Sequence, residues 1–256
     1  MWTNNIDPVL ANFSVFSIRW YGLLLAFGVS LAALNIVKRS SKYFINKEKA
    51  LDLCLYLIIG GLIGARLGEV IFYEPSFYFS HPLEIFFINH GGLSSHGMAL
   101  GLIISYFIFT KINKLDWKVV ADLIVPAIPL LAFFIRIGNF TNSEIMGRVT
   151  TLPWGVIYPR AESLSLLRHP IQLYEAGALL VIFFVMYFLE KIYLNKWKPF
   201  TLANTFILIY FGSRFFLEFF KAEYSTAFGI TMGQILSIPF IIFSLGYIFW
   251  VKKLPR

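Results

Sequence analysis

Charged residues are scarce in this chain. They make up 14% of the 256 residues, and 58% of the residues are hydrophobic, whereas about 25% of the residues in a soluble domain are charged. Apolar runs fill most of the length, which favours a membrane protein over one or two soluble domains. We therefore expect a single integral membrane domain over residues 1–256.

Cysteine and the usual catalytic motifs are also nearly absent. The single cysteine, Cys54, excludes an intrachain disulfide and lies in an apolar run, where it is expected to be a small buried hydrophobe. There is no His-Glu-x-x-His run, P-loop or Gly-x-Ser-x-Gly turn. The four histidines lack ligand spacing, so no metal site is predicted: His81, His90, His96 and His169.

A cleavable signal peptide and internal repeats are likewise not found. About twenty mixed residues that include Asp7 and Pro8 precede the first apolar run, without a basic segment or a small-residue cleavage site. The lack of repeats argues against a transporter built from inverted repeats.

Seven apolar runs are present, several of them near the 20 residues that a helix needs to cross a bilayer. The sequence thus predicts an all-α, polytopic membrane helix bundle with seven transmembrane helices, the third of which is short. The runs are 20–37, 53–72, 97–110, 119–137, 171–189, 201–220 and 231–251.

Basic residues between alternate runs predict the orientation, because lysine and arginine accumulate in cytoplasmic loops. This places the N-terminus outside and the C-terminus in the cytoplasm. The same clustering explains the net charge of +8 without a nucleic-acid partner, and none is expected. The clusters are Lys38, Arg39, Lys42, Lys47 and Lys49; Lys111, Lys114 and Lys118; Lys191, Lys196 and Lys198; and Lys252, Lys253 and Arg256.

Two arginines fall inside apolar runs, where a charge costs about 2.5–3.5 kcal/mol. Arg66 can pair with Glu69, and Arg214 with Glu218, each on one helix face. One interpretation is that both are structural ion pairs, which only orient the helices in the bundle. Lys221 is the one lysine that the basic clusters do not include.

Polar groups from separate runs are also expected at one depth. Arg214 lies 13 residues into the sixth run, or roughly 20 Å at the rise of an α-helix, which places it in the outer half of the membrane. Arg136 closes the fourth run, and Tyr21, His96 and His169 stand at the starts of others. Convergence of this kind indicates a site.

Four polar segments carry these groups: 90–98, 136–147, 169–175 and 210–219. Arginine's planar fork matches phosphate oxygens, and histidine accepts a proton near neutral pH. The segments therefore offer an anion clamp with a nearby base.

The stretch 136–147 resembles the defining motif of the prolipoprotein diacylglyceryl transferase family, R-x-G-N-F-x-N-x-E-x-x-G. The resemblance continues, in the family's order, at 19–22, 91–97, 169–175, 210–218 and 232–237. It implies seven transmembrane helices with the orientation given above. Glu69 departs from the pattern, since many relatives are expected to have a tyrosine there.

The resemblance implies a bacterial enzyme of the plasma (inner) membrane, with its active site toward the outer leaflet. Such an enzyme transfers the diacylglyceryl group of phosphatidylglycerol to the lipobox cysteine thiol of a prolipoprotein and releases glycerol phosphate. Its partners would be phosphatidylglycerol, the signal peptides of prolipoproteins and the lipid bilayer. No cofactor is implied.

The resemblance also assigns roles to residues. Arg136 and Arg214 would bind the head group and the departing phosphate, and His96 would be the general base, unless an arginine-assisted thiolate makes a base unnecessary. The head group would also contact Asn139, Glu144, Gly147, Tyr21 and Tyr210, with support from Glu218, His169, Gln172 and Glu175.

Two rival interpretations remain. A lipid or anion transporter would use the same arginines without a reaction, and a structural membrane subunit would use them only as ion pairs. A proton acceptor beside the arginines favours the enzyme.

Overall fold

The computed structural model describes residues 2–13, 17–88, 91–194, 196–222 and 229–253, without the side chains of 252 and 253. His90 and Arg256, and the side chains of Lys252 and Lys253, therefore lie outside the described residues. The protein is mostly helical, at 70%. The described residues form two compact units, 1–35 with 124–256 (unit one) and 36–123 (unit two).

The apolar runs form helices. In chain order these are α1 (Trp20–Arg39), α2 (Lys47–Gly68), α3 (Pro75–Ser80), α4 (Ser95–Ile112), α5 (Trp117–Ile124), α6 (Ala127–Thr141), α7 (Ile171–Tyr193), α8 (Thr201–Leu217) and α9 (Met232–Lys253). A π-helical turn, Glu69–Tyr73, extends α2, and 3-10 turns follow at Pro82–Phe86 and Glu218–Phe220.

Within the part of the chain that the structure describes, five helices are long and apolar enough to cross a membrane, and a sixth span results if α5 and α6 are counted together. Pro126 stands between these two helices, where it cannot donate a main-chain hydrogen bond and so interrupts the helix. The predicted sixth run forms α8, but at 17 residues it is shorter than the usual span. The prediction of a mostly helical, multi-pass membrane protein is thus confirmed.

In unit two, α2 and α4 pack closely because glycines face each other. A Cβ atom added to Gly64 would lie 2.7 Å from the Cα atom of Gly101, and one added to Gly68 would lie 2.7 Å from the Cα atom of Gly97. Small residues let helix backbones approach and gain van der Waals contact, which drives association where lipid replaces water. The helix of the third run begins at Ser95, two residues before the predicted start at Gly97, because Ser94 caps it by accepting from Gly97 N.

Unit one contains two pairs of short strands, and one of these strands lies between α6 and α7. Strand β1 (Trp2–Thr3) pairs in parallel with β4 (Val156–Ile157), while β2 (Val9–Asn12) pairs antiparallel with β3 (Ser17–Arg19) just before α1. Asn4 follows β1, is almost fully buried, and donates from its side chain to Phe140 O at 2.7 Å. The N-terminal segment therefore fixes the end of α6.

Candidate active site

Arg136 lies in the last two turns of α6 and contacts an acid on α7. Its Nε atom is 2.9 Å from Glu175 Oε2, and its Nη1 atom donates to Asn139 Oδ1 at 3.2 Å. The Arg136 side chain remains 19% exposed, whereas that of Glu175 is 9% exposed. The guanidinium is thus held by an acid and an amide but can still be reached by a ligand.

The loop after α6 is organised around Glu144. Asn139 donates to Glu144 Oε2 at 3.1 Å, and Asn142 donates to Oε1 at 3.0 Å. Gln172 at the start of α7 donates to the main-chain oxygen of Glu144 at 2.6 Å, while it accepts from the Tyr158 hydroxyl at 3.2 Å. Predicted residues from two segments, Asn139, Glu144 and Gln172, therefore belong to one network.

This loop contains two non-glycine residues in the left-handed region, Ser143 with φ 55° and Ile145 with φ 54°. Each such residue costs about 1–3 kcal/mol unless the surroundings hold it. Here the Glu144 hydrogen bonds lie between them, and Asn4 Nδ2 is 3.3 Å from Ser143 Oγ. The loop conformation is therefore imposed by its contacts.

Gly147 ends the motif and is required because another main chain comes close. Its N–H donates to His169 O at 3.1 Å. A Cβ atom at this position would collide with His169 and would lie 2.8 Å from Phe220 O. The glycine thus lets three segments of unit one come together.

His169 supports the site loop through its main chain, which accepts from Gly147 N and donates to Arg148 O. Its Nδ1 atom is 3.2 Å from the Tyr174 hydroxyl, which also accepts from Trp154 Nε1 at 2.7 Å. The imidazole packs against Phe220, with ring centroids 5.1 Å apart. Burial lowers the pKa of His169, so its neutral form is favoured near pH 7.

Lys221 belongs to this network of charges, although the sequence did not predict it there. Its Nζ atom is 3.1 Å from Glu175 Oε1 and 3.3 Å from Glu218 Oε2, and its side chain is 5% exposed. A buried lysine is tolerated when it is paired. The available signal was its position, since it is the one lysine that the basic clusters do not include.

Arg214 in α8 is half-buried and interacts with groups of the same network. Its charge is influenced by a hydrogen bond with the Tyr210 side chain and by the carboxylates of Glu218 and Glu175. The predicted Arg214–Glu218 ion pair does not form among the described residues, because Glu218 makes its salt bridge with Lys221. Arg214 thus lies beside the acids without a direct salt bridge.

Tyr21, in the first turn of α1, lies near the end of α6 and interacts with residues of the site network. Its ring packs on Gly138, where an added Cβ atom would lie 2.8 Å from Tyr21 Cδ2. Glu144 and Arg136 both act electrostatically on its hydroxyl. The structure therefore brings Tyr21, Tyr210, Arg136, Arg214 and the acids into one unit.

His96 belongs to unit two. Its exposed imidazole lies in the first turn of α4, with Nδ1 3.1 Å from the hydroxyl of Tyr73. If Nδ1 carries the proton and donates to Tyr73, the Nε2 atom is left as a proton acceptor. Tyr73 was not predicted, because nothing in the local pattern of the second run marks it.

Arg66 corrects a prediction. It does not pair with Glu69 among the described residues, although the two stand three residues apart. Its guanidinium donates instead to the Tyr78 hydroxyl at 2.9 Å and to five main-chain oxygens of the following loop. These belong to Glu84, Ile85, Phe87, Gly91 and Gly92.

Comparison with known proteins identifies the family. The family model of prolipoprotein diacylglyceryl transferase matches residues 8–250. The chain is 38% identical to the phosphatidylglycerol–prolipoprotein diacylglyceryl transferase of Bacteroides fragilis, over 97% of this chain and 95% of the relative. It is 37% identical to the protein of that name from Nitrosomonas europaea, over 98% and 95%, and 39% identical to that from Janthinobacterium sp., over 96% of each. With the arginines and amides of the family motif gathered in unit one, the chain belongs to the prolipoprotein diacylglyceryl transferase family.

Proposed function

We propose that this protein transfers the diacylglyceryl group of phosphatidylglycerol to the cysteine thiol of prolipoproteins, the first step of bacterial lipoprotein maturation. The names of its relatives support this activity over nearly the full length. The observation that carries it here is the cluster of Arg136, Arg214 and Lys221, three cations that share two buried acids.

The cluster suits the chemistry of a departing phosphate. The sulfur attacks the glycerol carbon next to the phosphate, a C–S bond forms, and the C–O bond breaks with its electron pair going to the phosphate oxygen. Arg136 and Arg214 stabilise the charge that develops there, because fixed donors need no reorganisation during the reaction. Glycerol phosphate leaves, and the peptide carries a thioether.

The thiol proton must be removed, since a thiol of pKa about 8.5 is mostly protonated at neutral pH. His96 is the proposed base, acting through Nε2 while Tyr73 holds Nδ1. A His96→Gln variant should lose transfer and keep phosphatidylglycerol binding, because its task is proton removal. Near-normal turnover of the variant at neutral pH would favour an arginine-assisted thiolate.

Around the phosphate, the other residues would shape and orient the head group. Asn139, Glu144 and Gly147 form the loop next to Arg136, while Tyr21 and Tyr210 line the sides. Glu175 and Glu218 orient the cations, and His169 and Gln172 hold the loop. The loop is held by direct hydrogen bonds, from Gln172 to Glu144 O and from Gly147 N to His169 O.

We also propose seven spans in the inner membrane, with α8 as the sixth and α5 with α6 as the fourth. The N-terminus is then outside and the site faces the outer leaflet. A reporter fused after Lys253 should be cytoplasmic, and a tag before Asn12 should be external. The reverse accessibility would overturn the placement of the site.

The activity is tested by incubating a lipobox peptide with the purified protein and phosphatidylglycerol. Mass spectrometry should show the peptide gaining one diacylglyceryl group. Two controls should show no product: a peptide with serine in place of the lipobox cysteine, and vesicles that contain only phosphatidylethanolamine. Binding of phosphatidylglycerol without any product would favour a lipid transporter instead.

A further inference from the structure

The site network of unit one contains as many cations as acids. Three cations, Arg136, Arg214 and Lys221, interact with three acids, Glu144, Glu175 and Glu218. The proposed function uses the two arginines as ligands for an anion. It does not explain why a buried lysine with 4% of its surface exposed is present as well.

The main-chain groups of Lys221 are hydrogen-bonded to neighbouring residues. Its carbonyl oxygen accepts from Arg148 Nε at 2.9 Å, and its N–H donates to Glu218 O at 3.2 Å. The residue also forms a bridge with Gly147, at the end of the site loop. Its ammonium group is therefore fixed relative to the loop that carries Asn139 and Glu144.

The Lys221 ammonium shares Glu175 with Arg136, one carboxylate oxygen each, at 3.1 Å and 2.9 Å. A carboxylate that lost the lysine could take the arginine with both oxygens, in the two-pronged geometry that suits a guanidinium. In the described chain, Arg136 uses Nε for Glu175 and Nη1 for Asn139. Sharing the acid therefore keeps part of the guanidinium open.

The second acid of Lys221, Glu218, is completely buried. Its carboxylate lies against Gly233 in the first turn of α9, where any Cβ atom would collide with it. Lys221 is its salt-bridge partner at 3.3 Å, while Arg214 interacts with it electrostatically. Without the lysine, this buried charge would still interact with Arg214, which could then be drawn to it.

We propose that Lys221 is a positioning residue, which occupies Glu175 and Glu218 so that Arg136 and Arg214 remain available to the phosphate diester. A lysine suits this task because its compact ammonium has three donors and can hold two carboxylates at once. It also keeps the site from becoming net negative, which would repel an anionic head group. The proposal rests on the proposed function of the two arginines.

The test compares Lys221→Met with the double variant Lys221→Met/Glu218→Gln, which removes one acid together with the lysine. The single variant should lower kcat/KM at least about 10-fold, mainly through a higher KM for phosphatidylglycerol. The double variant should recover most of that loss, because coupling of about 1.4 kcal/mol corresponds to a factor of ten. Lys191→Met, at the far end of α7, is the matched control and should be unchanged.

Native mass spectrometry of phosphatidylglycerol retained by each variant gives a second measurement that does not depend on turnover. The Lys221→Met variant should retain less of it, relative to phosphatidylethanolamine, and the double variant should retain more than the single one. Wild-type KM and retention in a folded Lys221→Met variant, or a double variant no better than the single one, would overturn the proposal. Absence of transfer by the wild-type protein would instead refute the proposed function.

Discussion

Arg66 in unit two and Arg136 in unit one are both helical arginines in apolar runs, yet their partners differ in kind. Arg66 is 5% exposed and donates to neutral groups, five main-chain oxygens and the Tyr78 hydroxyl. Arg136 keeps 19% of its side chain exposed and is balanced by Glu175. The two arginines therefore have different tasks.

Main-chain oxygens cannot be displaced without moving the backbone, so Arg66 clamps the loop between α3 and α4 to α2. An acid shared between two cations can adjust when another anion arrives, which suits Arg136 to ligand binding. The comparison teaches that the partners of a buried arginine indicate its role better than its burial does. A change at Arg66 should affect folding, and a change at Arg136 should affect chemistry.

The largest expected effect is at Arg136. An Arg136→Gln variant loses the charge that we propose faces the phosphate, and turnover should fall about 10³-fold or more. The thermal transition in detergent should change little, because Glu175 keeps Lys221 as a partner. Transfer assays normalised to folded protein measure the turnover, and a melting curve measures the thermal transition. Unfolding of this variant would erase the contrast with Arg66.

Arg214→Lys should come next. The charge is kept but the two-pronged donor geometry is lost, so turnover should fall on the order of 10²–10³-fold. Glu218→Gln, as the companion variant, should have a smaller effect, since an orienting acid matters less than the arginine beside it. Wild-type activity of Arg214→Lys in the same assay would leave Arg136 as the main phosphate ligand.

Arg66→Lys should act on stability. Three donors cannot serve six acceptors, and a buried carbonyl left unpaired costs about 1–3 kcal/mol. We expect the free energy of unfolding to fall by about 2–3 kcal/mol, with kcat per folded molecule unchanged. Denaturant titration in mixed micelles reports the first quantity. A stable Arg66→Lys variant with low kcat would place Arg66 in the site.

A smaller effect is expected at Tyr73. Tyr73→Phe removes one hydrogen bond to His96, worth about 0.5–1.5 kcal/mol, so kcat should fall by up to about 10-fold. The KM for phosphatidylglycerol should stay the same, because the Tyr73 hydroxyl acts through the proposed base, His96, and not through the proposed phosphate ligands. An unchanged kcat would show that the imidazole does not need this partner.

The smallest effect concerns pH. Burial lowers the pKa of His169 in the folded protein, so the unfolded chain binds more protons below its ordinary pKa of about 6.5. The contribution of His169 to stability is therefore complete above that pH and is lost as the pH falls through the folded pKa. Melting temperatures of the wild type and of His169→Gln, measured between pH 5 and 8, should converge toward low pH.

Much of the fold could be predicted because lipid leaves few choices for an apolar run of 20 residues. The predicted runs became helices, but the break at Pro126 and the 17-residue α8 reduced the count of clear spans to five or six. The short strand β4 could not be predicted, because it pairs with β1, which lies over 150 residues away in the chain.

The predicted site residues stay a prediction, and two of the predicted ion-pair partners were wrong. Spacing of three or four residues suggested Arg66–Glu69 and Arg214–Glu218, since such residues share a helix face. The observed partners are loop carbonyls for Arg66 and Lys221 for Glu218. Main-chain acceptors carry no sequence signal. Lys221 is three residues from Glu218 and Arg214 is four, so spacing alone does not decide which of the two cations pairs with the acid.

The sequence by itself determined the membrane character, the helices and the residue types at the site, because these follow from local hydropathy and from a motif within single segments. Only the tertiary structure decided that Glu175 is shared by Arg136 and Lys221, that Gly147 touches the chain at His169, and that Tyr73 meets His96. Each of these contacts joins different elements of the fold, and distances of about 3 Å between them depend on packing, which no local pattern specifies.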